Sequence, residues 1–389
     1  MIFAAREAIE FFVAVVDLHT TEEAMSTFSR LLPLLAFAAL AACGEKSPLA
    51  PQPDISFNNS AGHGQRSVSV MTRNMYIGAD VDAVMQALAA GGDPTPALQT
   101  ALQTLEHTDF ATRVRAIAHE IAENRPDVVG LQEVYDLTVI PRALGIDADE
   151  IEIHFLAALQ AALAAKHVHY VVAAKNTSTD ANLFGGAVQI ADHDVLLVNA
   201  RRVTLLGDSV GALFVANVGG PLPGGFTLLR GYVARKATID GIPTLLVNTH
   251  LESGDPWAGL RAMQAGELAT FIGTEPRVVL TGDFNDERGS EMYGVLASSL
   301  VDTWAVLRPR APGLTCCQAP DLSNRRSLLS QRIDFIWTRG FTRPSGKLDG
   351  EIQLISAHPD ARVRGAFGPI WPSDHAGVVA ELKLRSIRH

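Results

Sequence analysis

From residue 67 onward, short apolar runs alternate with stretches whose apolar residues recur at helical spacing. The strand patterns are "SVSVMTRN", "DVVGLQEV", "HYVVAA", "DVLLVN", "RVVLTGDFN", "RIDFIWT", "EIQLISA" and "HAGVVAELKL". Helical spacing predicts helices near 110–124, 150–165, 257–273 and 290–298.

One longer segment, "GYVARKATIDGIPTLLVNTHL", contains two strand patterns joined across Asp240 and Gly241, which is typical of a hairpin. Strands therefore occur both in hairpins and with helices between them. This mixture predicts mixed sheets covered by helices rather than a purely parallel doubly wound sheet.

The chain before this region has a different character. Residues 25–42 carry one basic residue and then an apolar stretch, which is typical of a secretory signal. The signal ends in "LAAC", which resembles a bacterial lipobox, so we expect Cys43 to be lipidated and to anchor the protein to a membrane surface. The alternative is that the apolar stretch forms a buried or interfacial helix.

Two further boundaries follow from this interpretation. Residues 1–24 are predicted to be a mis-assigned extension, and residues 43–65, which mix Pro, Gly, Ser and Asn, are predicted to be a flexible tether. No similar linker or internal repeat follows, so residues 66–389 are expected to form one domain.

Composition narrows the possible functions. The 389 residues are 47% hydrophobic, and 32 basic against 42 acidic residues give a formal charge of −10. This charge argues against a protein that holds nucleic acid by bulk electrostatics, but not against an enzyme that contacts a phosphodiester across a metal ion. No apolar run reaches the roughly 18 to 20 residues of a spanning helix.

Several predicted strands end or begin at carboxylates, amides or imidazoles. These residues are Asn74, Glu133, His250, Asp283, Asn285, Asp334, Asp374 and His375. Asp283 and Asn285 are two positions apart, so on one strand both would lie on the same face, just beyond the carboxyl end of a sheet. One such case is compatible with a turn, but the repetition predicts a hydrolytic centre.

The residue types suit hydrolysis of a phosphate ester. Mg²⁺ takes oxygen ligands from one or two carboxylates, a role that fits Glu133. An attacking water needs a base with a pKa near neutrality, and His375 oriented by Asp334 fits that role. Asn74, His250 and Asn285 are donors that can stabilise charge on the non-bridging oxygens.

The ordered motifs "LQEV", "NTHL", "GDFN", "RIDFI" and "SDHAGV", within residues 68–384, make the chain similar to the endonuclease/exonuclease/phosphatase superfamily. That superfamily includes deoxyribonuclease I, exonuclease III, inositol polyphosphate phosphatases and neutral sphingomyelinases. The resemblance implies an α/β four-layer sandwich, in which two packed mixed β-sheets are flanked by helices. It also implies a Mg²⁺ site, open to Mn²⁺ or Ca²⁺, with Asn74 and Glu133 at the metal and Asp374 supporting it.

The same resemblance assigns the reacting residues. His250 contacts the scissile phosphate, and Asp283 and Asn285 position the nucleophilic water and the phosphate. Asp334 orients the base His375. Relatives that act on DNA often carry an acid two residues after the first-strand Asn, a position that is Tyr76 here, and this departure argues against a second metal ligand there.

Other polar residues have plainer interpretations. His167 and His169 are predicted to be solvated, and Arg113 and Arg115 to be surface charges. Asp192, His193 and Asp194 are predicted to lie where a loop meets a strand, since neighbouring strand residues point apart. Arg261 and Gln264 are expected to pack or cap a helix. The alternative for Arg261 is a contact with a phosphate. Cys316 and Cys317 are either a vicinal disulfide or two free thiols.

Together these observations predict an exported, lipid-anchored and monomeric phosphodiesterase with no protein partner. Its substrate is expected to be nucleic acid, phospholipid or a small phosphodiester. The alternatives are a phosphomonoesterase, such as an inositol phosphate phosphatase, and a surface binding protein that kept the fold without catalysis.

Overall fold

Two mixed β-sheets form the centre of the structure, a computed structural model that describes residues 65–220, 227–341 and 347–385. The predicted signal, Cys43 and most of the tether lie outside these residues and stay predictions. Within the described part of the chain, every helix is too short or too polar to span a bilayer.

The first sheet has eight strands in the order β13-β16-β1-β2-β6-β3-β4, with β5 paired to β6. Its strands are β1 (Gln65–Asn74), β2 (Val128–Gln132), β3 (Asp136–Val139), β4 (Ile151–His154), β5 (Tyr170–Leu183), β6 (Val188–Asn199), β13 (Gly350–Ile355) and β16 (Gly377–Arg385).

The second sheet has six strands in the order β11-β12-β10-β9-β8-β7. These are β7 (Val203–Leu213), β8 (Gly231–Ile239), β9 (Ile242–His250), β10 (Val278–Asp283), β11 (Val301–Asp302) and β12 (Asp334–Arg339). A small separate hairpin consists of β14 (Val363–Gly365) and β15 (Gly368–Ile370).

The α-helices of the described residues are α1 (Asp82–Ala89), α2 (Thr95–His107), α3 (Phe110–Asn124), α4 (Phe155–Ala165), α5 (Ala258–Ile272), α6 (Glu291–Ala297) and α7 (Thr303–Leu307). Helix α7 packs Trp304 into the apolar cluster between the sheets. Short 3₁₀ turns span Pro141–Leu144, Phe184–Gly186, Asp255–Trp257 and Pro359–Ala361.

The three largest apolar clusters form layers, which explains the sandwich. Between the sheets, residues such as Val70, Leu246 and Val279 are fully buried, and each contributes roughly 1.5 to 3 kcal/mol by leaving water. Helices α3 and α4 bury apolar residues on the outside of the first sheet, and α5 and α6 do so on the second. The predicted four-layer architecture is confirmed.

A buried polar layer, defined here as Thr72, Gln132, Asn248 and Thr281, joins the two sheets near one end. Gln132 Nε2 donates to Asn248 Oδ1 at 2.6 Å, and Thr281 Oγ1 donates to the same oxygen at 3.0 Å. Gly130 on β2 makes this approach possible, because a Cβ there would collide with Thr281 and Asn248. All four side chains are fully buried, so their mutual hydrogen bonds offset the cost of desolvation.

Most predicted elements are present, with differences at their edges. The hairpin turn at Asp240 and Gly241 is confirmed, since both residues have positive φ and Ile239 pairs with Ile242. The helix predicted near 150–165 begins only at Phe155, because the preceding residues pair with β3 as the edge strand β4.

Candidate active site

Three of the predicted site residues lie in one row across the second sheet. Asp283, the last residue of β10, pairs with His250 of the parallel strand β9 and with Asp334 of the antiparallel strand β12. Strands β9 and β10 end here and β12 begins here, so register alone brings the three side chains to one edge. Next to His250 in the row is Gly231 of β8.

His375 and Asp334 form a buried pair. His375 Nδ1 lies 2.9 Å from Asp334 Oδ2, and Nε2 lies 3.7 Å from Asp283 Oδ2. Burial acts to lower the pKa of His375, yet Asp334, Asp374 and Asp283 raise it well above its usual value. The geometry expected for a base and its orienting carboxylate is therefore present.

Asp283 and Asn285 converge, although not by strand alternation as the sequence suggested. The strand ends at Asp283, and Asn285 adopts a left-handed conformation with φ of 50°, in which its N–H donates to Asp283 Oδ1 at 2.9 Å. Its side-chain Nδ2 then lies 3.0 Å from His250 Nε2. Left-handed backbone in a non-glycine residue is uncommon and is concentrated at functional sites.

Asn74 and Glu133 lie at the ends of β1 and β2 in the first sheet and face the row across the sandwich. Asn74 Nδ2 donates to Glu133 Oε1 and to Asp283 Oδ2, both at 3.0 Å. Its Oδ1 accepts from the Tyr76 N–H at 2.9 Å. Asn74 thus connects the two halves of the site. Glu133, like Asn285, has a left-handed backbone, with φ of 54°, and its carboxylate lies on the side of the first sheet.

The site concentrates negative charge where water is largely excluded. Burial raises the pKa of Asp283 to about 7, with Asp334 adding to the effect. Burial also raises the pKa of Asp374 to about 6, with Glu133 contributing. Hard oxygen donors with uncompensated charge are what a divalent cation requires, so Glu133 and Asp374 fit a cation site. Asp283, Asp334 and His375 also have potential ligand atoms within 4.8 Å of one another. Two of them, Asp334 and His375, are already hydrogen-bonded to each other.

Buried arginines that the sequence did not mark as functional support the site. Arg73 forms a two-pronged ion pair with Glu120 and donates to the backbone carbonyl of His375. Arg113, predicted to be a surface charge, is instead fully buried and donates to the carbonyls of Met75 and Tyr76 at 2.8 and 3.1 Å. That prediction was wrong because Arg113 lies on the buried face of α3, one turn before the buried Ile117, whereas Arg115 lies on the exposed face.

The remaining candidate residues are either exposed or buried within a strand. His167 and His169 are exposed, as predicted. Asp192, His193 and Asp194 do not lie at a junction; they are buried within β6, and Arg230 reaches Asp192 at 3.5 Å.

Arg261 and Gln264 pack within the fold, and the two neighbouring cysteines are bonded to each other. Arg261 packs by donating to Asp286 at 3.1 Å and to the Gly254 carbonyl at 2.8 Å. Gln264 accepts from the Glu252 N–H at 3.0 Å. The sulfurs of Cys316 and Cys317 are joined as a vicinal disulfide.

The buried state of His250 predicts an acid-sensitive contribution to stability. Burial, together with Arg230 and His375, holds the pKa of His250 well below 6.5. The unfolded chain therefore takes up a proton below pH 6.5 that the folded protein does not. Above this pH the two states bind the same number of protons at His250, and as the pH falls below it the unfolding free energy decreases by about 1.4 kcal/mol per pH unit.

We expect the unfolding free energy of cation-free wild-type protein to fall more steeply below pH 6.5 than that of His250→Asn. Urea denaturation from neutral pH to about pH 5 measures both slopes. Parallel slopes would show that His250 is not held neutral in the folded protein.

Comparisons with known proteins identify the family of this chain. Residues 105–375 match the model of the Endonuclease/Exonuclease/phosphatase family. No curated protein sequence matches the chain significantly.

Solved structures share the fold at low sequence identity. An endonuclease/exonuclease/phosphatase from Beutenbergia cavernae has a TM-score of 0.54 at 21% identity, covering 82% of this chain and 72% of its own. A family protein from Bacteroides thetaiotaomicron has a TM-score of 0.53 at 17% identity, with coverages of 83% and 99%. A humanized D. rerio TDP2 has a TM-score of 0.50 at 19% identity, with coverages of 81% and 98%.

The family match extends from α2 to His375 and includes the row on the second sheet, Glu133 and the buried pair. Its members are phosphoesterase hydrolases that generally depend on a divalent metal. The chain belongs to the endonuclease/exonuclease/phosphatase family.

Proposed function

We propose that the protein is a Mg²⁺-dependent phosphodiesterase in which His375, oriented by Asp334, accepts a proton from the attacking water. The observation that carries this proposal is the buried pair at 2.9 Å. In the neutral form of His375, a carboxylate on Nδ1 keeps the proton at that nitrogen and leaves the Nε2 lone pair facing Asp283. In this arrangement a water near Asp283 would have its acceptor in place.

The other residues orient the reaction. Asp283 is fixed by the Asn285 N–H and by Asn74 Nδ2, so its carboxylate can hold the water on one side of the phosphate. His250 and Asn285 can donate to the non-bridging oxygens, where negative charge accumulates. Mg²⁺ held by Glu133 and Asp374 would neutralise phosphate charge and polarise a phosphate oxygen.

The proposed substrate class is a phosphodiester bound at one phosphate rather than along a long polyanion. A formal charge of −10 is unfavourable for tracking a nucleic acid backbone without a basic groove.

A substrate panel tests the proposal on the full chain. Plasmid DNA, RNA, sphingomyelin, inositol phosphates and bis-p-nitrophenyl phosphate would each be assayed with Mg²⁺, with Mn²⁺, with Ca²⁺ and with EDTA. We expect hydrolysis of at least one diester with Mg²⁺ and none with EDTA. Activity that persists in EDTA would refute the metal dependence, cleavage of monoesters alone would indicate a phosphatase, and no hydrolysis would favour a binding protein.

The location is a separate proposal that depends on Cys43. If this cysteine carries lipid, Cys43→Ser should move the protein from the membrane fraction to the soluble fraction. Fractionation of cells expressing either form measures this, with Cys316→Ser as a control that leaves the lipobox intact. Unchanged fractionation of Cys43→Ser would remove the lipoprotein proposal.

A further inference from the structure

Arg230 contacts an imidazole nitrogen at the site. Its Nη1 lies 3.0 Å from His250 Nδ1. Arg230 directly precedes β8, whose first residue, Gly231, is the register partner of His250. Both side chains are buried, with Arg230 7% and His250 4% exposed. The contact is therefore shielded from water, and the strand register brings the two backbone segments together.

This contact determines where the proton of His250 resides. A guanidinium has only donors and stays charged, so the nitrogen that it approaches must offer a lone pair. A neutral imidazole carries one proton, which must then be on Nε2. That nitrogen lies 3.8 Å from Asp283 Oδ2 and next to Asn285.

Asn285 is the neighbour that can adjust. Its Nδ2 is placed 3.0 Å from His250 Nε2 and 3.0 Å from the Leu251 carbonyl. Two donors cannot both be satisfied by one neutral imidazole, and Arg230 has no acceptor to offer instead. The charged guanidinium makes the stronger hydrogen bond to the ring, and Asn285 Nδ2 has the Leu251 carbonyl as its acceptor.

Buried carboxylates hold Arg230 in this position. Asp192 Oδ2 lies 3.5 Å from Nη1 and Glu252 Oε1 lies 3.6 Å from Nε. Although burial acts to lower it, Glu252 and Asp192 raise the pKa of Arg230. The pKa of His250 moves the other way, lowered by burial and by Arg230. The guanidinium thus stays charged while the imidazole stays neutral.

We propose that Arg230 is a positioning residue that holds His250 as the neutral tautomer with its proton on Nε2, so that His250 donates a hydrogen bond to a phosphate oxygen. The donor role rests on the proposed function; the tautomer does not. The two imidazoles of the site then have opposite tasks, set by what contacts each Nδ1. Asp334 makes His375 a proton acceptor at Nε2, and Arg230 makes His250 a donor at Nε2.

The tautomer can be measured directly in the wild-type protein. Two-bond ¹H–¹⁵N spectra of histidine-labelled full chain at neutral pH separate the two neutral tautomers, and the spectrum of His250→Asn identifies the His250 signals. We expect a protonated Nε2 and an unprotonated Nδ1. A proton on Nδ1, or a charged ring, would overturn the proposal even if the enzyme is fully active.

Two variants test the assignment to Arg230. Arg230→Met removes the donor, and we expect mixed tautomers for His250 and a loss in kcat of roughly 10- to 100-fold, the usual effect of losing a residue that orients a functional group. Arg230→Lys keeps a charged donor and should restore most of the tautomer and of kcat.

Arg230→Met leaves the buried carboxylates Asp192 and Glu252 without their cation and can destabilise the fold. The double variant Arg230→Met/Asp192→Asn removes one of these two charges and is the second variant to test. An unchanged His250 tautomer in either Met variant would refute the role of Arg230. If no phosphoester is cleaved by any form, the proposed function fails while the spectra still decide the tautomer.

Discussion

Replacing His375 with Gln is expected to lower kcat by roughly 10²- to 10⁴-fold, the usual contribution of a general base. Gln keeps a polar side chain beside Asp334 but offers no basic nitrogen at the position of Nε2, 3.7 Å from Asp283. The loss should appear in kcat rather than in KM, because the substrate contacts proposed for His250 and Asn285 are unchanged. Steady-state kinetics on bis-p-nitrophenyl phosphate with saturating Mg²⁺ measure the effect.

Two controls make the His375 result specific. His167→Gln changes an exposed histidine and should leave kcat as in the wild type. Asp334→Asn keeps the imidazole but removes the carboxylate that fixes it, so its kcat should fall between those of the wild type and His375→Gln. A His375→Gln enzyme within about threefold of the wild type would exclude His375 as the base.

Glu133→Gln is expected to raise the Mg²⁺ concentration for half-maximal activity by at least about tenfold, since cation affinity depends on the charge of the ligand set. The substitution is nearly isosteric but removes one negative charge. The two carboxylate oxygens of Glu133 accept hydrogen bonds from Asn74 Nδ2 and from the Ile77 N–H. Glutamine has a single oxygen, so one of these donors loses its acceptor. Mg²⁺ titrations of activity, with EDTA-treated enzyme as the baseline, measure the change.

The matched control for this substitution is Glu106→Gln, at an exposed position outside the site. It should titrate with Mg²⁺ like the wild type. Identical Mg²⁺ dependence in Glu133→Gln and in the wild type would remove Glu133 from the cation site. Recovery of Glu133→Gln activity at high Mg²⁺ would support a weakened site rather than a misfolded protein.

Much of this architecture can be predicted from the chain because its central strands are buried on both faces. Val278–Asp283, for example, is buried at every position, and such a strand appears in the sequence as an uninterrupted apolar run with an abrupt polar end. The turn at Asp240 and Gly241 is equally clear, because both residues favour positive φ.

Helices α1 and α2 were missed although α2 carries a helical pattern, since Leu98, Ala101 and Leu105 recur at helical spacing and are buried. Other features lie beyond single-sequence patterns. The buried guanidinium groups of Arg73 and Arg113 donate to backbone carbonyls of distant segments. Nothing in the sequence near either arginine indicates those acceptors.

Arg230 is a different case, because the sequence contains part of the information needed to place it. Counting back from the predicted turn pairs Ile239 with Ile242 and Gly231 with His250. The backbone of Arg230 is therefore expected within one position of His250, across 20 residues of chain. Strand alternation alone would put the two side chains on opposite faces, so their contact follows only from the structure.

The buried polar layer beneath the site also has a consequence for folding. Gln132 and Asn248 bond across the sandwich directly below the residues that would carry the reaction, and Glu133 and Asp283 belong to opposite sheets. Neither sheet alone contains a complete set of reacting groups. We therefore expect a partly folded chain with one finished sheet to be inactive, and recovery of hydrolysis during refolding should follow docking of the two sheets rather than formation of secondary structure.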